Sequence, residues 1–158
     1  MNIGNYHAIG TVGAVGTPEV EICGANATVL QVAELMRSEH VGDLIVVEYR
    51  HGEPIPIGII TDRDLVIEMM AMDIEPSTLV VADIMSKKLV LALDTESLEV
   101  SLERMRGAGI RRVPLVDTRG VLVGIVTLDD VVEKLATTLS AVSCIGKKQA
   151  VEERGGRR

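Results

Sequence analysis

Aromatic side chains are almost absent from this sequence. They make up 1% of its 158 residues, and there is no Trp and no Phe. Proteins that bind single-stranded nucleic acids commonly stack bases on such rings, so that function has little support here. The net charge is −7, and the one basic stretch, KKQAVEERGGRR, lies at the C-terminus. Because nucleic-acid-binding domains carry a basic patch on their folded part, we predict no nucleic-acid partner and a solvated C-terminal tail.

Long apolar runs and cysteine motifs are also missing. The sequence contains no run of eighteen apolar residues, and its start, MNIGNYHAIG, has neither a basic leader nor an apolar run of signal-peptide length. We therefore expect a cytoplasmic protein with no membrane contact. Its two cysteines, Cys23 and Cys144, lie far apart with no Cys-x-x-Cys motif, which argues against a zinc site or a redox pair.

An internal repeat is the most informative feature that the sequence does have. Hydrophobic residues make up 47% of the chain, so a packed core is expected. The pattern Gly-apolar-apolar-Thr-x-x-Asp occurs at residues 58–64 and again at 124–130. Upstream, LIVVE at 44–48 matches VPLVD at 113–117, with a separation larger by three residues. We assign the three extra residues of the first copy to the turn between its two strands, where insertions are tolerated.

Each copy has the hydrophobic pattern of strand, helix, strand, strand, helix, which predicts an α/β (α+β) fold built from two βαββα units. The first helix of each copy carries apolar residues at helical spacing: Val29, Val32, Ala33 and Met36, then Leu98, Leu102 and Met105. The closing helices are predicted to bury Leu65, Val66 and Met69, then Val131, Val132 and Leu135. We divide the chain into a loose segment (1–17), repeat 1 (18–72), a linker (73–81), repeat 2 (82–139) and a tail (140–158).

Three stretches together resemble the cystathionine-β-synthase (CBS) domain, present as a tandem pair of the type found in stand-alone bacterial and archaeal proteins. They are the repeated Gly-apolar-apolar-Thr-x-x-Asp, the ADIM that opens the second copy, and GIRRVPLVD before its strand pair. The resemblance covers roughly residues 18–139. It implies two βαββα units packed with two clefts between them, adenosine-containing ligands in those clefts, and assembly of pairs into dimeric discs.

The junction of strand and closing helix has two interpretations. Thr61 stands at the N-cap position and Asp64 three residues later, which is the pattern of a capping box. A carboxylate also offers two acceptor oxygens for the hydroxyls of a ribose, beside a helix N-terminus that favours anions. The resemblance implies ribose contacts for Thr61 and Asp64, and equally for Thr127 and Asp130. Both interpretations can hold at once.

The two copies differ in charge just before their first hairpin strand. Arg111 and Arg112 stand there in the second copy, and Gly42 and Asp43 in the first. The resemblance implies a crossed arrangement, in which the arginines face Thr61 and Asp64 while Gly42 and Asp43 face Thr127 and Asp130. The first pocket would then be basic and the second would not; a solvated or salt-bridged turn is the alternative for adjacent arginines. The predicted nucleotide-binding residues are Thr61, Arg63, Asp64, Ile110, Arg111, Arg112, Thr127, Asp130 and Gly42.

Catalysis has little support, because His7, His40 and His51 lie beside no obvious nucleophile and Asp-rich helix starts are explained by the helix dipole. We predict no catalytic residue, no metal site and no catalytic cofactor. The function predicted is a regulatory module that binds AMP, ADP, ATP or NAD and signals to an unidentified protein partner, as a homodimer. S-adenosylmethionine fits less well, since paired arginines suit phosphates. The alternatives are an interaction module without a ligand and a metal-dependent hydrolase using the Asp clusters.

Overall fold

The computed structural model describes residues 10–71 and 73–155, with side chains up to residue 145. The first unit contains β1 (Ile22–Gly24), α1 (Val29–Glu39), β2 (Asp43–Arg50), β3 (Glu53–Thr61) and α2 (Asp62–Leu65), which continues as a π-helical turn (Val66–Met70). After the short helix α3 (Val81–Ile84), the second unit contains β4 (Ala92–Leu93), α4 (Leu98–Ala108), β5 (Arg112–Val116), β6 (Leu122–Thr127) and α5 (Leu128–Gly155). The predicted fold class, two βαββα repeats, is confirmed.

Each repeat forms its own three-stranded sheet. The strand orders are β1-β2-β3 and β4-β5-β6, with the first pair parallel and the second pair antiparallel in both. The hairpins also share an irregularity of register, between Val46 and Val47 in one and between Leu115 and Val116 in the other. These are the same positions of the repeat, so the irregularity is a feature that the two hairpins share.

Local sequence explains the first helix of each repeat. Thr28 and Gln31 form a capping box at the start of α1, and the Ser97 side chain caps α4. Each helix then ends at a residue in the left-handed conformation, His40 with φ 57° and Gly109 with φ 66°. One face of each helix packs on its sheet, and the buried residues are Val29, Val32 and Met36, then Leu98, Ser101 and Met105. Ala33 and Leu102 are half-buried.

The extra residues of the first repeat lengthen its hairpin rather than its turn. Strands β2 and β3 remain paired out to Arg50 and Glu53, and only His51 and Gly52 connect them. Both turn residues have positive φ, at 52° and 83°, as a two-residue turn requires. The turn after β5 is longer, from Asp117 to Val121. The prediction of a longer turn in the first copy was therefore wrong, because added residues gain ladder hydrogen bonds by continuing the strands.

The segments that come before β1 and before β4, here called the leading segments, each pack against the other repeat. Val12, in a 3₁₀ turn (Val12–Ala14), is fully buried in the core of the second repeat. Val81, at the equivalent position in α3, is fully buried in the core of the first. Each leading segment then pairs with the last hairpin strand of the other repeat, through the bridges Thr17–Ile125 and Ile59–Ser86. Each repeat is thus completed by the leading segment of the other, and this exchange joins the two repeats.

This exchange corrects the prediction of a loose segment at 1–17. Residues 1–9 lie outside the described part of the chain, but residues 10–17 pack on the second repeat. The segment is rich in glycine, which is typical of loose chain, but here Gly13 and Gly16 let the backbone approach Asp94 and Ile125 closely.

A third cluster of apolar side chains joins the two sheets. Its buried members are Ile45, Val47 and Ile125, with Val20, Ile22, Ile59 and Leu122 packed around them. These residues come from both repeats, so the sheets face one another across a shared core. The ends of β3 and β6 are thereby brought close to the leading segments of the opposite repeat.

The closing helices bury less than the periodicity predicts. Met69 and Val131 are buried and Leu65 is half-buried, whereas Val66 and Val132 are 54% and 57% exposed. Leu135 is also exposed. Their hydrophobic pattern is wider than the face that touches the sheet, so part of each apolar stripe stays outside.

Helix α5 does not end at the predicted repeat boundary of residue 139. It continues to Gly155, and its described side chains beyond Leu139 are exposed. The predicted tail is therefore helical over 140–155. Within the described residues, no helix combines the length and the apolar character needed to cross a membrane.

Candidate functional site

Two capping boxes of the same geometry open α2 and α5. The Thr61 backbone N–H and its hydroxyl each donate to Asp64 Oδ2 at 2.8 Å, and the Asp64 N–H donates back to Thr61 Oγ1 at 3.3 Å. The corresponding bonds between Thr127 and Asp130 measure 2.7, 2.7 and 3.2 Å. The capping interpretation is therefore confirmed at Thr61 and Asp64, and Thr127 and Asp130 form the same box in the second copy. In each box the capping bonds that the carboxylate accepts use Oδ2 alone, so Oδ1 is available to a ligand.

A cavity of about 470 Å³ lies beside the first capping box, where the two repeats meet. Strand β3 and α2 contribute one wall, and the loop before β5 contributes the opposite wall. The predicted residues that line it are Thr61, Arg63, Asp64, Ile110, Arg111 and Arg112. Three arginine residues thus line the same cavity as Thr61 and Asp64, and its volume is typical of small-molecule sites.

A third wall of this first cavity was missed by the sequence analysis. It is the leading segment of the second repeat, which contributes Ser86, Lys88, Leu89 and Val90. Lys88 adds a fourth cation. The pair Lys87-Lys88, just after ADIM, was the available signal, but only the crossing of the leading segment places it beside Thr61.

A second cavity, of about 440 Å³, is built from the equivalent positions of the other repeat. Thr17, Glu19, Val20 and Glu21 replace the Ser86, Lys88, Leu89 and Val90 segment, and Thr127 stands where Thr61 stands in the first. The remaining lining residues are Glu39, Val41, Asp43 and Ile125. The two cavities are therefore related by the internal repeat.

Charge is inverted between the two cavities at equivalent positions. Lys88 in the first corresponds to Glu19 in the second, and Arg112 corresponds to Asp43. The described lining of the second cavity contains four carboxylates and no Lys or Arg, whereas four cations and two carboxylates line the first. The charged residues that line the first cavity therefore sum to a positive charge, and those that line the second sum to a negative charge.

Arg112 and Asp43 form an ion pair between the two repeats. Since Arg112 lines the first cavity and Asp43 the second, the pair stands at the partition between them. Arg111 is more exposed and lies 3.8 Å from Asp129 of its own repeat. Both arginines are therefore salt-bridged, as the alternative interpretation of the pre-strand segment expects, and they also line the first cavity.

Two predicted residues lie outside the cavity assigned to them. Gly42 lies between two lining residues of the second cavity, Val41 and Asp43, and its carbonyl accepts a hydrogen bond from the Asp62 N–H. The side of α5 that carries Asp130 faces a separate cavity of about 290 Å³ beside Ala14 and Val15. Of the second capping box, Thr127 lines the second cavity and Asp130 lines this separate one.

The described residues contain no group of three or more His, Cys, Asp or Glu side chains placed to hold a metal ion. Burial raises the pKa of the Cys23 thiol to about 11. Little thiolate therefore forms near neutral pH, and Cys23 is a poor nucleophile or ligand there.

Comparison with protein families agrees with the repeat seen in the fold. The model of the CBS domain matches this chain twice, over residues 12–71 and 81–137. The chain belongs to the CBS-domain family. Both matches begin at the leading segments, so a CBS repeat in this chain includes the segment that crosses to its neighbour, and residues 12–17 belong to the first repeat.

Two relatives and one solved structure illustrate the likeness. The CBS domain-containing protein YhcV of Bacillus subtilis is 34% identical over 129 residues, which is 82% of this chain and 88% of that protein. Protein MK0525 of Methanopyrus kandleri is 33% identical over 78% of this chain, which spans 61% of the length of MK0525. The CBS domain pair of protein MJ0100, solved with 5-methylthioadenosine and S-adenosyl-L-methionine, gives a TM-score of 0.69 at 23% identity, with 81% and 97% of the two chains covered.

Proposed function

We propose that this CBS pair is a non-catalytic regulatory module that binds an adenine nucleotide in the first cavity and signals to a protein partner. One observation carries the proposal. The carboxylate and hydroxyl of the first capping box stand across one cavity from Lys88, Arg111 and Arg112. An acceptor pair suited to ribose thus faces a set of cations suited to phosphate.

The ligand class follows from these two halves of the cavity. Asp64 Oδ1 accepts from a ribose hydroxyl while Oδ2 keeps its capping bonds, so ligand binding leaves the helix start intact. The apolar residues Ile59, Ile110 and Pro114 lie in the same lining and offer contact to a flat base. AMP, ADP, ATP and NAD all combine these features. The CBS pair of MJ0100 was solved with two adenosine derivatives, which supports a nucleoside but not a particular phosphate count.

A thermal-shift and turnover screen tests the proposal. Adenosine, AMP, ADP, ATP, NAD and S-adenosylmethionine are each added in excess, and unfolding is followed with and without Mg²⁺. A ligand at 100 times its dissociation constant adds about 2.7 kcal/mol to the free energy of unfolding. Stabilisation by phosphate-bearing adenosines without product release is expected.

The other outcomes favour the alternatives. If no nucleotide stabilises the protein, the pair is an interaction module without a small-molecule ligand. Metal-dependent release of a product indicates a hydrolase that uses Asp62, Asp64, Asp129 and Asp130.

The proposed assembly is a homodimer. Val66 and Val132 occupy equivalent positions in the two closing helices, and both are more than half exposed. Exposed apolar residues repeated on related helices are expected to be covered in the functional assembly. A second copy of the chain is the proposed cover, since it would present the same pair of helices.

A further inference from the structure

The partition between the two cavities is an ion pair, and it is made of equivalent residues. Asp43 is the first residue of β2 and Arg112 the first residue of β5. Asp43 is paired across its hairpin with Thr61, and Arg112 with Thr127. Each charged residue is therefore next to a capping threonine of its own sheet, while its partner belongs to the opposite repeat.

This ion pair is partly shielded from water. The side chains of Arg112 and Asp43 are 34% and 17% exposed. Charges in such positions are screened less by solvent than those on the open surface, so moving or neutralising one of them changes the electrostatic energy of the other. The guanidinium of Arg112 has a fixed fork of donors, and an arriving phosphate must share those donors with the Asp43 carboxylate and approach its negative charge.

We propose that Asp43 sets the phosphate selectivity of the first cavity by holding Arg112, an inference that rests on the proposed function. A ligand with phosphates must draw the guanidinium away from Asp43, whereas uncharged adenosine has no such requirement. Asp43 therefore weakens the binding of phosphate-bearing ligands and leaves adenosine unaffected.

Displacement of Arg112 also reaches the second cavity. Once Arg112 turns to a phosphate, Asp43 is left without its cation beside Glu19, Glu21 and Glu39, which line the same cavity. A second anionic ligand is then disfavoured further. The ion pair thus connects the occupancy of one cavity to the charge of the other.

The test is calorimetric titration of the full chain with ATP, AMP and adenosine, comparing the wild type with Asp43→Asn. Asparagine keeps the shape of the side chain and removes the charge. Affinity for ATP is expected to rise about fivefold, as for loss of a partly exposed ion pair, with a smaller rise for AMP and none for adenosine. In an Arg112→Gln background, Asp43→Asn is expected to raise ATP affinity less than it does in the wild type, because only the direct repulsion between Asp43 and the phosphates is then removed.

The matched control is Glu53→Gln. Glu53 forms another ion pair between the repeats, 2.7 Å from Arg119, at the opposite end of the β2–β3 hairpin. If Glu53→Gln raises ATP affinity as much, or if Asp43→Asn changes ATP and adenosine equally, the selectivity role of Asp43 is wrong while the nucleotide site stands. If neither the wild type nor Asp43→Asn binds any of the three ligands, the proposed function fails with it. Melting temperatures of all variants separate loss of binding from loss of fold.

Discussion

Thr61 and Asp64 have a structural role that does not exclude a binding role. Their mutual hydrogen bonds cap α2, and an identical set caps α5 through Thr127 and Asp130. What differs is the surroundings. Asp64 lines the basic cavity, while Asp130 lies outside the acidic one. The second box is therefore an internal control for the first.

This difference predicts unequal effects of the same double substitution. Thr61→Ala with Asp64→Ala should cost about 1 kcal/mol of stability through loss of the cap. Binding of an adenine nucleotide should weaken by roughly 1 to 3 kcal/mol for each ribose hydroxyl left unpaired. Titration calorimetry and urea unfolding measure the two effects separately.

The matched control is Thr127→Ala with Asp130→Ala, which removes a cap of the same geometry. It should lower stability similarly and leave binding to the first cavity intact. Equal losses of binding in both double variants would mean that these residues act only as caps.

Gly58 and Gly124 are required by the crossing segments. A Cβ on Gly124 would lie 2.7 Å from the Thr17 carbonyl oxygen, and a Cβ on Gly58 would lie 3.1 Å from the Ser86 carbonyl oxygen and 2.6 Å from Met85 Sδ. The repeated glycine of the motif thus marks where the leading segment of the other repeat passes over the strand.

We predict that Gly124→Ala lowers the free energy of unfolding by about 1 to 3 kcal/mol, because a backbone atom must move to admit the methyl group. Urea unfolding measures this. Gly107→Ala is the control: it lies in α4 with no atom within 4 Å of the added Cβ, and it should stabilise the protein by roughly 0.5 to 1 kcal/mol. Unchanged stability in Gly124→Ala would contradict the crossing.

At the scale of elements, α5 carries apolar residues that do not pack against its own repeat. Exposed apolar residues recur along it with alternating spacings of four and three: Leu128, Val132, Leu135, Leu139 and Val142. This is the spacing of helices that pack along one another in coiled coils. Val132 belongs both to this stripe and to the pair of exposed valines proposed as the dimer face. One helix of a partner chain can therefore cover the dimer face and the rest of the stripe.

We predict that Val132→Glu or Leu139→Glu converts the dimer to a monomer at micromolar concentration. The physical reason is that a buried, unpaired carboxylate at the interface is strongly unfavourable. Light scattering coupled to gel filtration measures the mass. Ser140→Glu adds the same charge to an exposed position of the helix outside the stripe, and it should leave the dimer intact. A wild-type mass equal to a single chain would remove the dimer proposal.

At the scale of the whole molecule, the internal repeat produces two similar cavities of opposite charge. The overall charge of −7 does not reveal this, because it sums the whole chain, whereas four cations and two carboxylates line one cavity and four carboxylates line the other. Binding of a phosphate-bearing ligand should therefore be asymmetric.

We predict one molecule of ATP bound per chain, with affinity that falls as salt is added because the phosphate contacts are charge-assisted. Asp64→Ala should remove this binding, and Asp130→Ala should retain it. Arg111→Ala combined with Arg112→Ala should reduce the preference for ATP over AMP. Calorimetry at two salt concentrations gives both stoichiometry and affinity. If the arginine change acts only on a site that depends on Asp130, the assignment of the cavities must be exchanged.

The sequence by itself determined the features that depend on neighbours along the chain. The repeat, the order of strands and helices, and the two capping boxes all follow from local patterns, because a cap joins residues three apart and a helix face joins residues three or four apart. The opposite charges of the segments just before β2 and β5 were also visible in the sequence. That each segment faces the capping box of the other repeat was not visible there, and this expectation came from the family resemblance.

Only the tertiary structure decided which residues of one repeat meet those of the other. The exchange of Val12 and Val81, the entry of Lys88 into the first cavity and the ion pair of Asp43 with Arg112 all join residues that are far apart in sequence. The exposure of Val66 and Val132 was decided in the same way, since a hydrophobic pattern states that a residue prefers burial but not which surface buries it. How two similar units pack depends on their complementary surfaces, and that information appears only when both are folded.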